Sequence, residues 1–352
     1  MPFIKGSNPR HLYSFSIGLM SDFFIYRNDV WPLLIFHVIV HRLIVTLKAK
    51  SSVICMVGMF GFLSFYHIMR MYLAYGSYVQ DFTLVLMNQT TKVTYLAYAV
   101  HDYYTPEENL PVEVRGRKIT HLPGLREYMS YNFTFIGWCG PYVDYKDYID
   151  FIYEENNYAN IRFSLKQFLK NMGLLIFCMG FFMSMKDYFP FDLISSTRWW
   201  DLNPISMVTY MVVAGFLLRH RYYIAFTYGQ ITADLAGITW NSENESNDLY
   251  RNFDWFRIES DNRSRDRLLA WNQGVQRWLK NVCYVRCNNV IGNTKAALLV
   301  FLLSAFWHGF YPSFYLVFAT AFVLNENQKS CFKKKKELAW LDDSWIWSVV
   351  VQ

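Results

Sequence analysis

A long uncharged segment near the C-terminus is the feature that most restricts how this chain can fold. No Asp, Glu, Lys or Arg occurs between Lys295 and Glu326, and most residues there are apolar. A helix crosses a bilayer with about 20 consecutive apolar residues. Backbone amides in hydrocarbon must be paired, which leaves helices or a closed barrel. Because the strict alternation of a barrel strand is missing, we expect membrane-spanning helices.

Other apolar segments extend this interpretation to the rest of the chain. The predicted spans begin at residue 31 and cover residues 31–47, 53–73, 165–185, 205–218 and 296–324. Segment 82–100 is apolar at both ends but contains Asn88, Gln89 and Lys92, so we expect it to face protein rather than lipid. The sequence therefore predicts an all-α, polytopic helical bundle with about six to eight membrane-embedded helices. We expect it to form a single membrane-embedded domain over residues 1–352.

The hydrophilic parts of the chain are predicted to connect these helices. Segment 103–130 is rich in proline and basic residues, and segment 241–267 is rich in Asn, Asp, Glu and Arg. Both are typical of solvated loops. Segment 268–286 is expected to form one amphipathic helix at the membrane surface, because it combines tryptophans with cations.

Composition argues against two other classes of function. The net charge of +6 is spread among apolar segments, which is typical of basic cytoplasmic connections and not of a nucleic-acid-binding domain. The six cysteines form no CxxC pair. His37 and His41 have the i, i+4 spacing of metal ligands, but no third ligand is obvious, so we expect no metal site.

His308 is the strongest candidate for a catalytic residue, since it lies inside the uncharged segment. An ionisable side chain at membrane depth is costly and is a functional-site hypothesis by default. Pro312 has no N–H for the carbonyl of residue 308, so the helix is predicted to open there. A neutral imidazole beside this opening could take a proton from a hydroxyl nucleophile. The alternative is a histidine that hydrogen-bonds a neighbouring helix.

A second candidate lies in the stretch AWNQGVQRWLKNVCYVR, residues 270–286. Asn272 could donate a hydrogen bond to a developing oxyanion. The cations that follow it could hold the phosphates of a charged substrate. The alternative is an ordinary interfacial helix, whose aromatic and basic residues serve only to anchor it.

These two segments carry a family resemblance. WNQGVQRWL (271–279) and LSAFWHGFYPSFYL (303–316) resemble the paired W-N and W-H-G elements of the membrane-bound O-acyltransferase family. Segments 80–102, 122–152, 219–230 and 278–286 are similar, in order, to blocks of its lysophospholipid acyltransferase branch. The resemblance covers residues 80–325 approximately. Members of the family usually continue for two or three helices after W-H-G, so we expect this chain to be short.

The resemblance implies an enzyme of the endoplasmic-reticulum membrane that transfers an acyl chain from acyl-coenzyme A to a lysophospholipid hydroxyl. It implies His308 as the catalytic histidine, Asn272 as its partner, and a substrate tunnel between the helices. No cofactor is expected besides acyl-coenzyme A as co-substrate. The expected substrate contacts are Trp271, Gln276, Arg277, Lys280, Arg286, Trp307 and Tyr311, the three cations for the phosphates of coenzyme A.

Three other functions remain open from the sequence. A protein or sterol acyltransferase of the same family would have a different acceptor. A transporter could use His308 as a proton relay, although the sequence shows no repeated half. A catalytically inactive membrane scaffold is the third. The sequence determines neither head-group and acyl-chain preference nor the orientation of the spans and the oligomeric state.

Overall fold

The computed structural model describes residues 4–77, 82–138 and 140–337, and these residues are mostly helical. Pairing of extended backbone in this part of the chain is confined to two isolated bridges. The helices are α1 Ser7–Tyr26, α2 Val30–Leu47, α3 Ser51–Leu73, α4 Thr83–Tyr104, α5 Val112–Arg115, α6 Leu125–Phe133, α7 Tyr145–Tyr153, α8 Leu165–Met185, α9 Pro204–Ala236, α10 Trp255–Ser260, α11 Ser264–Ala270, α12 Gln273–Leu279, α13 Val285–Ile291, α14 Asn293–His308 and α15 Pro312–Glu337. The expected all-α class is confirmed.

Two described stretches are long and apolar enough to cross a membrane by length and composition. They are Ser7–Leu73, which contains α1 to α3, and Leu165–Met185, which is α8. Helix α4 is not one of them, and its polar side chains are buried in the protein. Asn88, Gln89 and Lys92 are 4%, 2% and 3% exposed, which confirms the prediction that this helix faces protein.

The predicted opening at His308 is confirmed. The expected span 296–324 is two helices, since α14 ends at His308 and α15 begins at Pro312. Gly309 between them has φ 120°, a conformation that favours glycine. Proline at the first position of α15 needs no N–H partner, so it starts one helix at the place where the other ends.

Helix α1 was not among the predicted spans, because it contains charged residues. Its Arg10 and Asp22 are both 1% exposed. Arg10 donates to the carbonyls of Phe151 and Ile152 in α7, which supports the cation inside the protein. The helix also packs very close to α6: a Cβ on Gly18 would lie 1.4 Å from the carbonyl oxygen of Phe133.

Three expected connections are wrong in detail. The predicted loop 103–130 contains α5 and most of α6, and the predicted loop 241–267 contains α10 and half of α11. The single amphipathic helix expected over 268–286 is broken. It divides at Trp271 and Asn272 and then passes through a π-helical turn, Lys280–Tyr284. Tertiary contacts decide these breaks, because neighbouring segments satisfy the backbone groups that the helix ladder leaves free.

Candidate active site

Asn272 occupies a sharp backbone turn between α11 and α12. It adopts the left-handed conformation, with φ 43° and ψ 53°. Asn252 holds the next two residues: its carbonyl accepts from Gln273 N at 2.6 Å and its side-chain oxygen accepts from Gly274 N at 3.2 Å. Asn252 is fully buried. The turn is therefore fixed by a residue from a segment that the sequence predicted only as a solvated loop.

The side chain of Asn272 is available for a ligand. Its Oδ1 is buried and has no hydrogen-bond partner among the described residues. The neighbouring Gln276 is engaged instead, since its Nε2 donates to the carbonyls of Leu268, at 2.6 Å, and Trp271. Buried polar atoms are normally paired, so this unpaired amide oxygen is compatible with a hydrogen-bond donor on a substrate.

Helix α12 brings the W-N segment against the W-H-G segment. The rings of Trp278 and Trp307 lie 5.7 Å apart between centroids. Each indole also donates to α4: Trp278 to the hydroxyl of Thr94 at 2.8 Å, and Trp307 to the carbonyl of Met87 at 3.0 Å. Two segments that are about 30 residues apart along the chain thus share one anchoring helix.

His308 is half-buried at the end of α14 and is surrounded by aromatic rings. Its ring lies 4.8 Å from that of Trp307 and stacks at 5.2 Å on Phe318, with Phe314 at 5.6 Å. The two phenylalanines belong to α15, so the helix after the break covers the imidazole. Asn272 lies six residues before Trp278, about 9 Å along a helix. The Trp278–Trp307 contact therefore joins the helix that follows Asn272 to the helix that ends at His308.

The three predicted phosphate contacts are not brought together. Arg277 lies over the ring of Tyr250 at 4.6 Å, with Nε and Nη2 unpaired among the described residues. Lys280 is exposed. Arg286 forms a bidentate salt bridge with Asp102, in which both N–O distances are 2.8 Å.

The surroundings of Arg277 include an unusual carboxyl group. The hydroxyl of Tyr250 donates to Asp147 in α7. Burial, together with the neighbouring Asp144, raises the pKa of Asp147 to about 7.

Tyr311, three residues after His308, contacts the end of α3. Its hydroxyl accepts from Gly76 N at 3.2 Å, and its ring lies 5.3 Å from that of Tyr75. It connects the turn between α14 and α15 to the end of α3.

A cavity of about 560 Å³ lies between α11 and α15. Trp271 forms part of its wall, opposite Leu316 and Val317, and Arg219 and Arg267 line it as well. This combination of an apolar wall and cations lies beside the W-N segment. The described residues contain no group of three or more His, Cys, Asp or Glu side chains that could hold a metal ion.

The sequence interpretation missed two residues at this site. Asn252 supports the Asn272 turn, and the sequence gives no distinctive signal for it, since it is one of several asparagines in a polar segment. His67 of α3 contacts the carbonyl of Trp307 at 3.1 Å. A histidine inside an apolar span is a signal that could have identified it.

The chain is similar to several known acyltransferases. The chain is 30% identical to "Lysophospholipid acyltransferase 6" of Drosophila melanogaster over 92% of its own length and 48% of that protein. It is 29% identical to "Membrane-bound glycerophospholipid O-acyltransferase 2" of Mus musculus over 90% of its length and 64% of the relative. A "Lysophospholipid acyltransferase" of Schizosaccharomyces pombe is 25% identical over 89% and 64%. The chain thus spans about half to two thirds of these relatives.

The chain also matches a family model over most of its length. Residues 72–351 match "MBOAT, membrane-bound O-acyltransferase family". This range includes the W-N turn, the α12–α14 contact and the broken helix at His308. The chain belongs to the membrane-bound O-acyltransferase family.

Proposed function

We propose that this chain is a lysophospholipid O-acyltransferase of the endoplasmic-reticulum membrane, which transfers an acyl chain from acyl-coenzyme A to the free hydroxyl of a lysophospholipid. The main support is the Trp278–Trp307 contact. It joins the segment of Asn272 to the segment of His308. The relatives named as lysophospholipid acyltransferases support the choice of acceptor.

In the proposed reaction, His308 takes the proton of the acceptor hydroxyl as its oxygen attacks the thioester carbonyl. The carbonyl oxygen becomes negative, and the amide N–H of Asn272 donates to it. The C–S bond then breaks, the coenzyme A sulfur receives the proton from His308, and the new C–O bond remains as an ester. The base is regenerated and no metal is needed.

The proposed substrate contacts lie near Trp271 and Trp278. The cavity between Trp271 and α15 has an apolar wall for an acyl chain and arginines for an anionic group. Arg277, whose guanidinium has unpaired N–H groups among the described residues, and the exposed Lys280 are the proposed phosphate contacts. Trp307 and Tyr311 would shape the region beside His308.

The test is acyl transfer from labelled acyl-coenzyme A in microsomes that contain the full chain, His308→Ala or the control His121→Ala. His121 is an exposed histidine bonded to Glu127, away from α14. We expect transfer to a lysophospholipid for the wild type and the control, and none for His308→Ala at equal protein level.

The acceptor panel includes several lysophospholipids, a sterol and a serine-containing peptide. Equal transfer by His308→Ala would exclude the proposed base. Transfer only to the sterol or the peptide would change the acceptor class. No transfer by the wild type would contradict the proposed activity and favour a scaffold.

A further inference from the structure

We infer that His67 is a positioning residue for His308, because it holds the backbone at the broken end of α14. This inference rests on the proposed function. His67 lies on α3, 4% exposed, and its Nε2 is 3.1 Å from the carbonyl oxygen of Trp307. It therefore contacts the peptide unit that joins Trp307 to His308.

The contact satisfies a group that the helix itself leaves free. The last four carbonyls of a helix have no partner inside it. At the end of α14, Gly309 N donates to the carbonyls of Ala305 and Phe306, at 3.2 and 3.1 Å. The carbonyl of Trp307 instead accepts a hydrogen bond from the imidazole of His67. Without this donor, the carbonyl would lose its hydrogen bond one residue before His308.

Gly309 permits this close approach. A Cβ at this position would lie 3.1 Å from Nδ1 and 3.3 Å from Cε1 of His67. The glycine also has φ 120°, which other residues rarely adopt. The imidazole of His67 therefore fills the space that a side chain at residue 309 would occupy, and it limits how the turn after His308 can move.

Trp307 is consequently held from two sides. Its indole donates to Met87 of α4 at 3.0 Å, and its carbonyl accepts from His67 of α3. The carbonyl of Trp307 lies in the peptide plane that Trp307 shares with His308. Holding this carbonyl and the indole therefore restricts the orientation of the backbone at His308. The ring nitrogen of His67 that faces the carbonyl must carry a hydrogen, so it donates there.

The test compares His67→Ala, His67→Gln and the control His41→Ala. His41 makes a similar contact in α2, from Nε2 to the carbonyl of Pro123 at 3.2 Å, far from His308 along the chain. We expect His67→Ala to lower kcat by about 10- to 100-fold, as misplacement of a catalytic group does. KM for both substrates should stay within about two-fold, because binding is unchanged.

Glutamine can place an N–H where Nε2 of His67 lies, so His67→Gln should recover most of kcat, and His41→Ala should match the wild type. A positioning role is contradicted if His67→Ala keeps full kcat. It is also contradicted if glutamine rescues nothing while the protein remains folded, or if His41→Ala loses as much activity as His67→Ala.

A second measurement does not depend on acyl transfer. His308→Cys introduces a cysteine at the site, and its rate of thiol labelling is measured with histidine, alanine or glutamine at position 67. The labelling of the same chain without this cysteine is subtracted as background. We expect a several-fold change with alanine and none with glutamine. An identical rate for all three residues would overturn the inference. If the wild type transfers no acyl chain, the proposed function fails, and this labelling alone decides the role of His67.

Discussion

At the scale of single residues, Asn272 has a left-handed backbone conformation and a side-chain amide, and different substitutions change one without the other. Its left-handed backbone conformation suits asparagine or glycine, and other residues pay about 1–2 kcal/mol for it. Its amide group is the proposed oxyanion donor. The same residue type thus serves the turn and the chemistry, which explains why the sequence alone could not distinguish an interfacial helix from a site.

Asn272→Gly and Asn272→Ala should therefore differ in stability but not in activity. Both remove the amide, so we expect each to lower kcat by about 100-fold or more. Only alanine introduces backbone strain, so its melting temperature in detergent should be the lower one. Active Asn272→Gly enzyme would exclude the proposed role of the side chain, and equal melting temperatures would contradict the strain argument.

At the scale of helices, charged pairs connect elements whose partners the sequence does not reveal. Arg286 of α13 binds Asp102 at the end of α4, with side-chain exposures of 14% and 8%. Arg162 and Glu245 also form a pair, but each side chain is 69% exposed. A buried pair is destabilised strongly when one partner is removed, whereas an exposed pair contributes little. The structure therefore favours a role for Arg286 in joining two helices, as an alternative to the contact with coenzyme A that the sequence predicted.

Arg286→Met and Asp102→Asn test these two roles. If the pair joins the helices, each single variant should lose about 3 kcal/mol or more of stability, and the double variant should recover part of it. Glu245→Gln, the control, should change stability by less than about 1 kcal/mol. A rise in KM for acyl-coenzyme A with Arg286→Met but not with Asp102→Asn would instead favour direct phosphate binding.

At the scale of the whole molecule, hydrogen bonds between connections define one common face. Arg117, in the connection after α4, binds Asp144 at 2.6 Å. Ser164 N, just before α8, donates to Asn247 after α9 at 3.0 Å. Tyr250, after α9, also donates to Asp147 in α7. Lys48, just before α3, lies over the ring of Tyr104 at the end of α4. These connections therefore lie on the same side as the start of α3. The opposite side carries residues 74–77 and 186–203, at the far ends of α3 and α8.

The distribution of basic residues predicts the orientation of the two faces. The first face includes the basic residues Lys48, Lys50, Arg115, Arg117 and Lys118, whereas residues 74–77 contain none and 186–203 contain Lys186 and Arg198. Cytoplasmic connections carry an excess of Lys and Arg, so we expect the first face in the cytoplasm.

Sealed microsomes test this orientation with single introduced cysteines. Ser242→Cys lies on the first face and Ser195→Cys on the second, and both positions are exposed. An impermeant maleimide should label Ser242→Cys directly and Ser195→Cys only after the membrane is opened. The reverse order would invert the predicted topology, and equal labelling of both before opening would contradict the assignment of two faces.

The sequence by itself determined the features that depend on neighbouring residues. Pro312 lacks an N–H, so the break after His308 was predictable, and apolar length alone identified α8. The W-N and W-H-G elements were recognisable because their spacing is local.

Only the tertiary structure decided which distant groups satisfy one another. The contact of Trp278 with Trp307, the support of the Asn272 turn by Asn252 and the donation of His67 to a carbonyl 240 residues away each join separate segments. No periodicity encodes such pairs. They arise because buried polar groups and free helix ends must find partners wherever the folded chain supplies them.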